Sequence, residues 1–158
     1  MKNYPILYRK GHLRNAIKEK DALLHYHGLS IEQIYNLPKN ISEPAIILKN
    51  REDNKENFPI LILNDYDDEK YPIFVMLKMN AKGFYDFKFI DTNEIVSLYG
   101  RKNFNLYLKD VIDKDGLIFY DKEKVQNIDA HSGTQLFAMC KYFEPNIILQ
   151  KVLNNVKM

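Results

Sequence analysis

Four histidines are spread along the chain, and two of them, His25 and His27, stand on either side of Tyr26. An imidazole, with an ordinary pKa near about 6.5, can take or give a proton at neutral pH, and a phenol, near about 10, is a natural donor. As metal ligands the two imidazoles lack a third histidine, cysteine or carboxylate at ligand spacing, so no metal is expected. On spacing alone, a contact with a helix C-terminal dipole and ordinary packing outweigh catalysis for this pair. Cys140 and His131 have the types of a nucleophile and its base, but Cys140 lies in the apolar run Phe137-Ala138-Met139-Cys140, which reads as buried packing. Asp65, Asp67, Asp68 and Glu69 begin the alternation of a calcium loop. Lys70, however, stands where the sixth position needs glycine and Met76 where the twelfth needs glutamate, so a solvated hairpin tip is expected. The six glycines stand singly, which leaves no glycine-rich loop to cradle a nucleotide phosphate.

Two further groups have the right types for nucleic acid. Within Phe84-Tyr85-Asp86-Phe87-Lys88-Phe89, Tyr85, Phe87 and Phe89 alternate with Asp86 and Lys88 as on the two faces of a strand. Exposed, such a row stacks bases; turned toward helices it is core, and core is the expectation, with Lys88 on the exposed side. Arg9, Lys10 and Arg14 cluster where a helix begins, where the dipole disfavours cations, so they touch a phosphate or are solvated.

These residues need elements to position them. Leu13, Ile17 and Leu24 share a helical face over His12–Tyr26, with Gly28 where a C-cap belongs. Ser30 and Gln33 form a capping-box pattern opening a second helix through Ile31, Ile34 and Leu37, which Pro38 is expected to end. After Pro44 come short β-branched and aromatic runs, Ala45–Leu48, Ile60–Leu63, Ile73–Met79 and Tyr85–Ile90. Their short links rich in Asn, Asp, Pro or Gly predict an antiparallel meander, since a parallel pair needs a long crossover. Asn93–Leu98 and Asn103–Lys114 read as helices, Leu117–Tyr120 as a strand, and Asp121 as the cap of another helix. Ile147–Val156 has helix-compatible spacing.

The chain has 158 residues, 46% of them hydrophobic, with 23 Lys and Arg against 21 Asp and Glu, a net charge of +2. That balance excludes a polycationic nucleic-acid binder and an acidic tail, and the length suits one domain with a single core. One cysteine allows no internal disulfide. No apolar run approaches the ~18 residues of a membrane span, and Pro5, Arg9 and Lys10 interrupt what would otherwise be a signal core. A soluble chain is expected.

The order of the pieces "HYHGLS", "IEQIYNLP", "ISEPAIILK", "EIVSLYG", "GLIFYDKEKVQ" and "GTQL" resembles the phage MuF-like C-terminal domain family of the barnase/EndoU/colicin/RelE-like nuclease superfamily, from about Ile6 to Val156. The matching motifs are His27-Gly28-Leu29, Leu37-Pro38, Pro44, Ser97 with Tyr99, and Ile118–Tyr120 followed by Lys122 and Lys124. His25 is an additional histidine, and Phe137 stands where the family often has proline. The resemblance implies an α+β fold, with N-terminal helices packed on one face of a twisted antiparallel sheet. It also implies a metal-independent ribonuclease toxin with no cofactor, in which the ribose 2′-hydroxyl attacks the adjacent phosphate. That chemistry needs a proton acceptor, a donor or cation for the phosphoryl charge and a proton donor for the leaving 5′-oxygen.

The family pattern places His27, Ser97 and Tyr99 at the site, with His25 and Tyr120 as further catalytic candidates and His131 in reserve. Lys88, Arg101, Arg9 and Lys10 are the candidate substrate-binding residues. The implied partners are RNA, tRNA included, and a cognate immunity protein or antitoxin, with no membrane. The implied location is the cytoplasm of a producing or target cell, reached by a phage or as the toxin module of a longer protein. The competing class is a non-enzymatic phage-associated, immunity or binding protein on a degenerate nuclease fold. A pI near 8.5 points away from an immunity protein, whose charge would be acidic to match a basic partner.

Overall fold

A computed structural model describes residues 5–21, 23–24, 27–52, 54–55 and 58–141. His25 and the expected helix over Ile147–Val156 lie outside the described residues. The elements in chain order are β1 (Ile6–Tyr8), α1 (Lys10–Ile17), α2 (Ile31–Ser42), β2 (Ile46–Leu48), β3 (Ile60–Tyr66), β4 (Pro72–Tyr85), β5 (Lys88–Gly100), α3 (Phe104–Asp113), β6 (Leu117–Tyr120), α4 (Lys122–Ser132) and α5 (Leu136–Cys140). They form a mixed α+β structure around one six-stranded open sheet ordered β1-β5-β4-β3-β2-β6. The run β2 to β5 is an antiparallel meander, β6 adds antiparallel to β2, and β1 adds parallel to β5 with Tyr8 opposite Ile95.

The strands Ile60–Leu63 and Ile73–Leu77 are apolar at every position, as strands buried on both faces must be. Ile46, Leu48, Ile60, Ile62 and Phe74 pack against Leu108 and Val111 of α3, Val125 and Ile128 of α4 and Leu136 of α5. Leu61, Leu63, Ile73, Val75, Ile95 and Leu98 pack against Ala16 of α1, Leu29, and Leu37 and Ile41 of α2. The N-terminal helices take one face, but α3, α4 and α5 cover the other, which the expected single helical layer lacked, and the parallel β1–β5 pair corrects the expectation of a wholly antiparallel sheet.

Four elements differ from the sequence expectation. The first helix spans Lys10–Ile17, not His12–Tyr26; Lys18 is already extended, and Leu24 is 55% exposed instead of continuing the buried stripe. The second helix opens with the expected capping box on Ser30 and Gln33 but runs through Pro38 to Ser42. Leu37 and Ile41, one turn apart, are both buried, while Pro38 is on the exposed side; packing outweighs the proline penalty.

Asn93–Leu98 is strand, not helix. Ser97 pairs with Met76 and Ile95 with Leu77, so Val96 is an extra residue, a β-bulge. The bulge puts Ile95 and Leu98 on the same face three residues apart, which imitates the i, i+3 spacing of a helix. Tyr85–Ile90, finally, is not one strand but the tip of the β4–β5 hairpin. Phe84 pairs with Phe89 and Tyr85 with Lys88 across a two-residue turn, Asp86-Phe87, both at positive φ (49° and 60°) as an I′ hairpin requires. The β3 ladder ends at Met76 of β4, so this tip has no layer to pack on. Phe84, Tyr85, Phe87 and Phe89 are 62–93% exposed, which overturns the expectation that the row is core.

One buried carboxylate ties the N-terminal segment to the sheet. Asp65 lies at the end of β3 and Asp67–Glu69 in the β3–β4 turn, but Asp67 is buried: its Oδ1 accepts the backbone N–H groups of Glu69 (3.0 Å) and Tyr71 (2.9 Å) and its Oδ2 lies 3.1 Å from Lys20 Nζ. Any side chain at Gly100 would collide with it, since a Cβ there would overlap Asp67 Oδ2. Replacing Asp67 with alanine removes the acceptor of the Glu69 and Tyr71 N–H groups and leaves Lys20 paired with Glu69 (2.9 Å), and the expected loss is about 1–3 kcal/mol of stability. A urea titration checks it; a midpoint within error of the wild type would show that the carboxylate does not hold the turn.

Candidate functional site

Parallel β1 covers only part of the outer edge of β5: it ends at Tyr8, opposite Ile95. Beside the continuing edge lies a cleft of about 550 Å³ lined by Tyr8, His12, Asn15, His27 and the β5 residues Val96–Tyr99. His12 and Asn15 are three residues apart on α1 and so share a face of the helix.

His27 reaches the cleft through backbone chemistry. The last turn of α1 leaves carbonyls without helical partners. Lys18 N–H closes on Arg14 O at 3.2 Å, while the returning loop supplies His27 N–H to Asn15 O (3.0 Å) and Leu29 N–H to Ala16 O (2.8 Å). Gly28 N–H donates to Lys18 O at 2.8 Å, and Gly28 takes φ +65° with its α-carbon face against Lys20. His27 is thus a capping-loop residue, not the last residue of the first helix. Its ring stacks on Tyr99 at 5.4 Å between centroids and 28° between planes.

Tyr99 continues the contacts inward. Its ring is 5.7 Å from Phe74, and its hydroxyl oxygen accepts a hydrogen bond from Arg101 Nη1 at 2.9 Å. Val96 being an extra residue, Ser97 is carried into register with Met76 and also lines the cleft. Tyr8 is held by its strand, and its hydroxyl lies 3.4 Å from His12 O. Burial pushes the Tyr8 phenol up to about 12, so it remains a proton donor at neutral pH.

The structure therefore brings His27, Ser97 and Tyr99 into one cleft and adds His12, Tyr8 and Asn15. The His12/Asn15 spacing on one helix was the readable signal for the latter pair; Tyr8 depended on a parallel strand that its three residues do not announce. Other candidates lie elsewhere. Arg9 Nε is 2.5 Å from Glu94 Oε1, a carboxylate buried at the β1–β5 junction, and Lys10 is exposed at the start of α1. Arg101 is stacked on Tyr107 (4.2 Å) and Phe74 (5.1 Å). Lys88 is nine residues along β5 from Ser97, roughly 30 Å at about 3.3 Å per residue. Tyr120 is on β6, four strands from β5, or roughly 19 Å at about 4.8 Å per strand. His131 stacks on Tyr66 at 3.7 Å on α4.

Cys140 is buried, and burial, with the charge of Asp129 adding to it, pushes its thiol up to about 12, so it supplies no thiolate at neutral pH. Among the described residues, no group of three or more His, Cys, Asp or Glu side chains is arranged to hold a metal ion, and no helix is long and apolar enough to cross a membrane.

Two outcomes follow from this geometry. Alanine at Gly28 forces a side chain into a left-handed backbone with its Cβ 3.3 Å from Lys20 Cβ, and should cost about 1–2 kcal/mol in a thermal or urea melt. Cys140 and Tyr8 ionise near 9.0 and 10.0 in an unfolded chain and near 12 when folded, so the folded state binds protons that the unfolded state releases. Stability should be complete below about pH 9 and fall as pH rises toward 12. The urea midpoint between about pH 8 and about pH 11 tests the sign, and a midpoint that held or rose would mean that both groups ionise freely in the folded chain.

Residues 18–127 match the family model described as the phage MuF C-terminal domain. No curated protein and no solved structure matches the chain.

Proposed function

The chain belongs to the phage MuF C-terminal domain family, and we propose that it is a metal-independent ribonuclease toxin of barnase/EndoU/colicin/RelE-like type. The observation that carries this reading is that His12, His27, Ser97 and Tyr99 line one cleft, with the His27 ring stacked on Tyr99. Cleavage by the neighbouring 2′-hydroxyl needs two proton transfers. A neutral imidazole takes the proton of the 2′-hydroxyl as its oxygen attacks phosphorus. A protonated imidazole gives a proton to the 5′-oxygen as the P–O5′ bond breaks, leaving a 2′,3′-cyclic phosphate. Hydroxyl donors aimed at the non-bridging oxygens stabilise the charge that develops there. Cleft residues from two separate elements, α1 and the 27–29 loop, supply an imidazole each, so acid and base can flank the phosphate. An acidic immunity protein or antitoxin covering the cleft is the corresponding partner.

A binding protein on the same fold is the second reading, favoured by the exposed aromatic tip of the β4–β5 hairpin. RNA incubated with the purified chain in chelator separates the two. Cleavage with cyclic-phosphate ends is expected, and intact RNA, or cleavage only after magnesium or manganese is restored, would sink the proposal. His27→Ala should lower turnover by roughly 10² to 10⁴ with little change in melting temperature, because the backbone N–H that closes α1 is retained.

A further inference from the structure

We propose that Arg101 is a positioning residue that fixes the Tyr99 hydroxyl as a hydrogen-bond donor into the cleft. This rests on the reading of the cleft as a phosphate site. A guanidinium carries only donors. Arg101 Nη1, 2.9 Å from the Tyr99 oxygen, therefore occupies an acceptor position of that oxygen and leaves the phenolic proton for another acceptor. The guanidinium is itself held. Its carbon lies 4.2 Å from the Tyr107 ring centroid on α3 and 5.1 Å from that of Phe74 on β4, and its backbone N–H donates to Pro72 O at 3.3 Å. These contacts lie on the side of the sheet covered by α3, and Tyr99 and the His27 stacked on it both line the cleft.

Tyr99 is thus held at its hydroxyl by a fixed cation and at its ring by an imidazole. A phenol that receives a charged donor on its oxygen gives a stronger hydrogen bond through its own proton, because successive hydrogen bonds polarise one another. The group such a donor suits is an anionic oxygen, here a non-bridging oxygen of a ribose phosphate. Arg101 acts through Tyr99 and does not touch the anion.

Equilibrium binding of the four ribonucleoside 3′-monophosphates, measured by calorimetry on the full chain, tests this without requiring turnover. Tyr99→Phe should weaken binding roughly ten- to hundred-fold, the loss of a hydrogen bond to a charged group. Arg101→Met should weaken it by about three- to ten-fold, and the double variant should bind within about two-fold of Tyr99→Phe alone. Arg101→Lys, which keeps the charge but loses the planar stacking, should resemble Arg101→Met. If Arg101→Met costs affinity equally when added to Tyr99→Phe, Arg101 meets the phosphate directly and the proposal is wrong. It is equally overturned if Arg101→Met folds and binds like the wild type, or if the wild type binds none of the four nucleotides. A wild type that binds them but leaves RNA intact instead defeats the ribonuclease reading and leaves the Tyr99–Arg101 coupling standing.

Discussion

The end of α1 has to dispose of its last carbonyls, and the chain does so by bringing residues 27–29 back across it. Three consecutive N–H groups, from His27, Gly28 and Leu29, are given to Asn15, Lys18 and Ala16. This closure places Leu29 in the core beside Ala16 and turns His27 toward Tyr99 of β5. A helix of two turns has little stability of its own, so α1 persists because of this cap and the sheet beneath it. Three of the four cleft residues N-terminal to the sheet meander depend on it, His12 and Asn15 through the helix and His27 through the loop, while β1 holds Tyr8.

The strand side of the cleft has an equally local origin. Val96 is one residue too many for the β4–β5 ladder. The surplus shifts the phase of the strand, so Ile95 and Leu98 both face α1 and α2 while Tyr99 turns to Phe74 and Arg101. The β1 ladder stops one residue short of the bulge. Cleft, bulge and the end of β1 therefore coincide, since an edge strand that bends away at a bulge offers poor pairing beyond it.

Much of this was legible in the residues. Ser30 and Gln33 announce their capping box, Asp121 caps α4 through Lys124 N–H, and the runs around Ile60 and Ile73 pair as a meander. The family resemblance singled out His27, Ser97 and Tyr99, which the fold gathers in one place. What escaped shares a physical cause: the deciding contact was non-local. A bulge disguised β5 as a helix by spacing its apolar residues three apart. Residues 84–89 alternate like a buried strand, but whether a strand is buried depends on the reach of its neighbours, and β3 stops short. Burial of both sheet faces is visible in "ILIL" and "IFVML" only once an unbroken apolar run is taken to mean two covered sides.

The cleft unites two segments far apart in the chain: Tyr8 to His27 on one side and Val96 to Tyr99 on the other. Joining them closes a loop of roughly seventy residues or more, a step whose entropy is recovered only after the intervening hairpins exist. During synthesis the first wall is made early and must wait, unpaired, until the second emerges. Collapsed intermediates that contain the meander alone possess no cleft. Whatever acts there therefore needs both walls, and a nascent or truncated product that stops short of β5 carries His12 and His27 without the surface they serve.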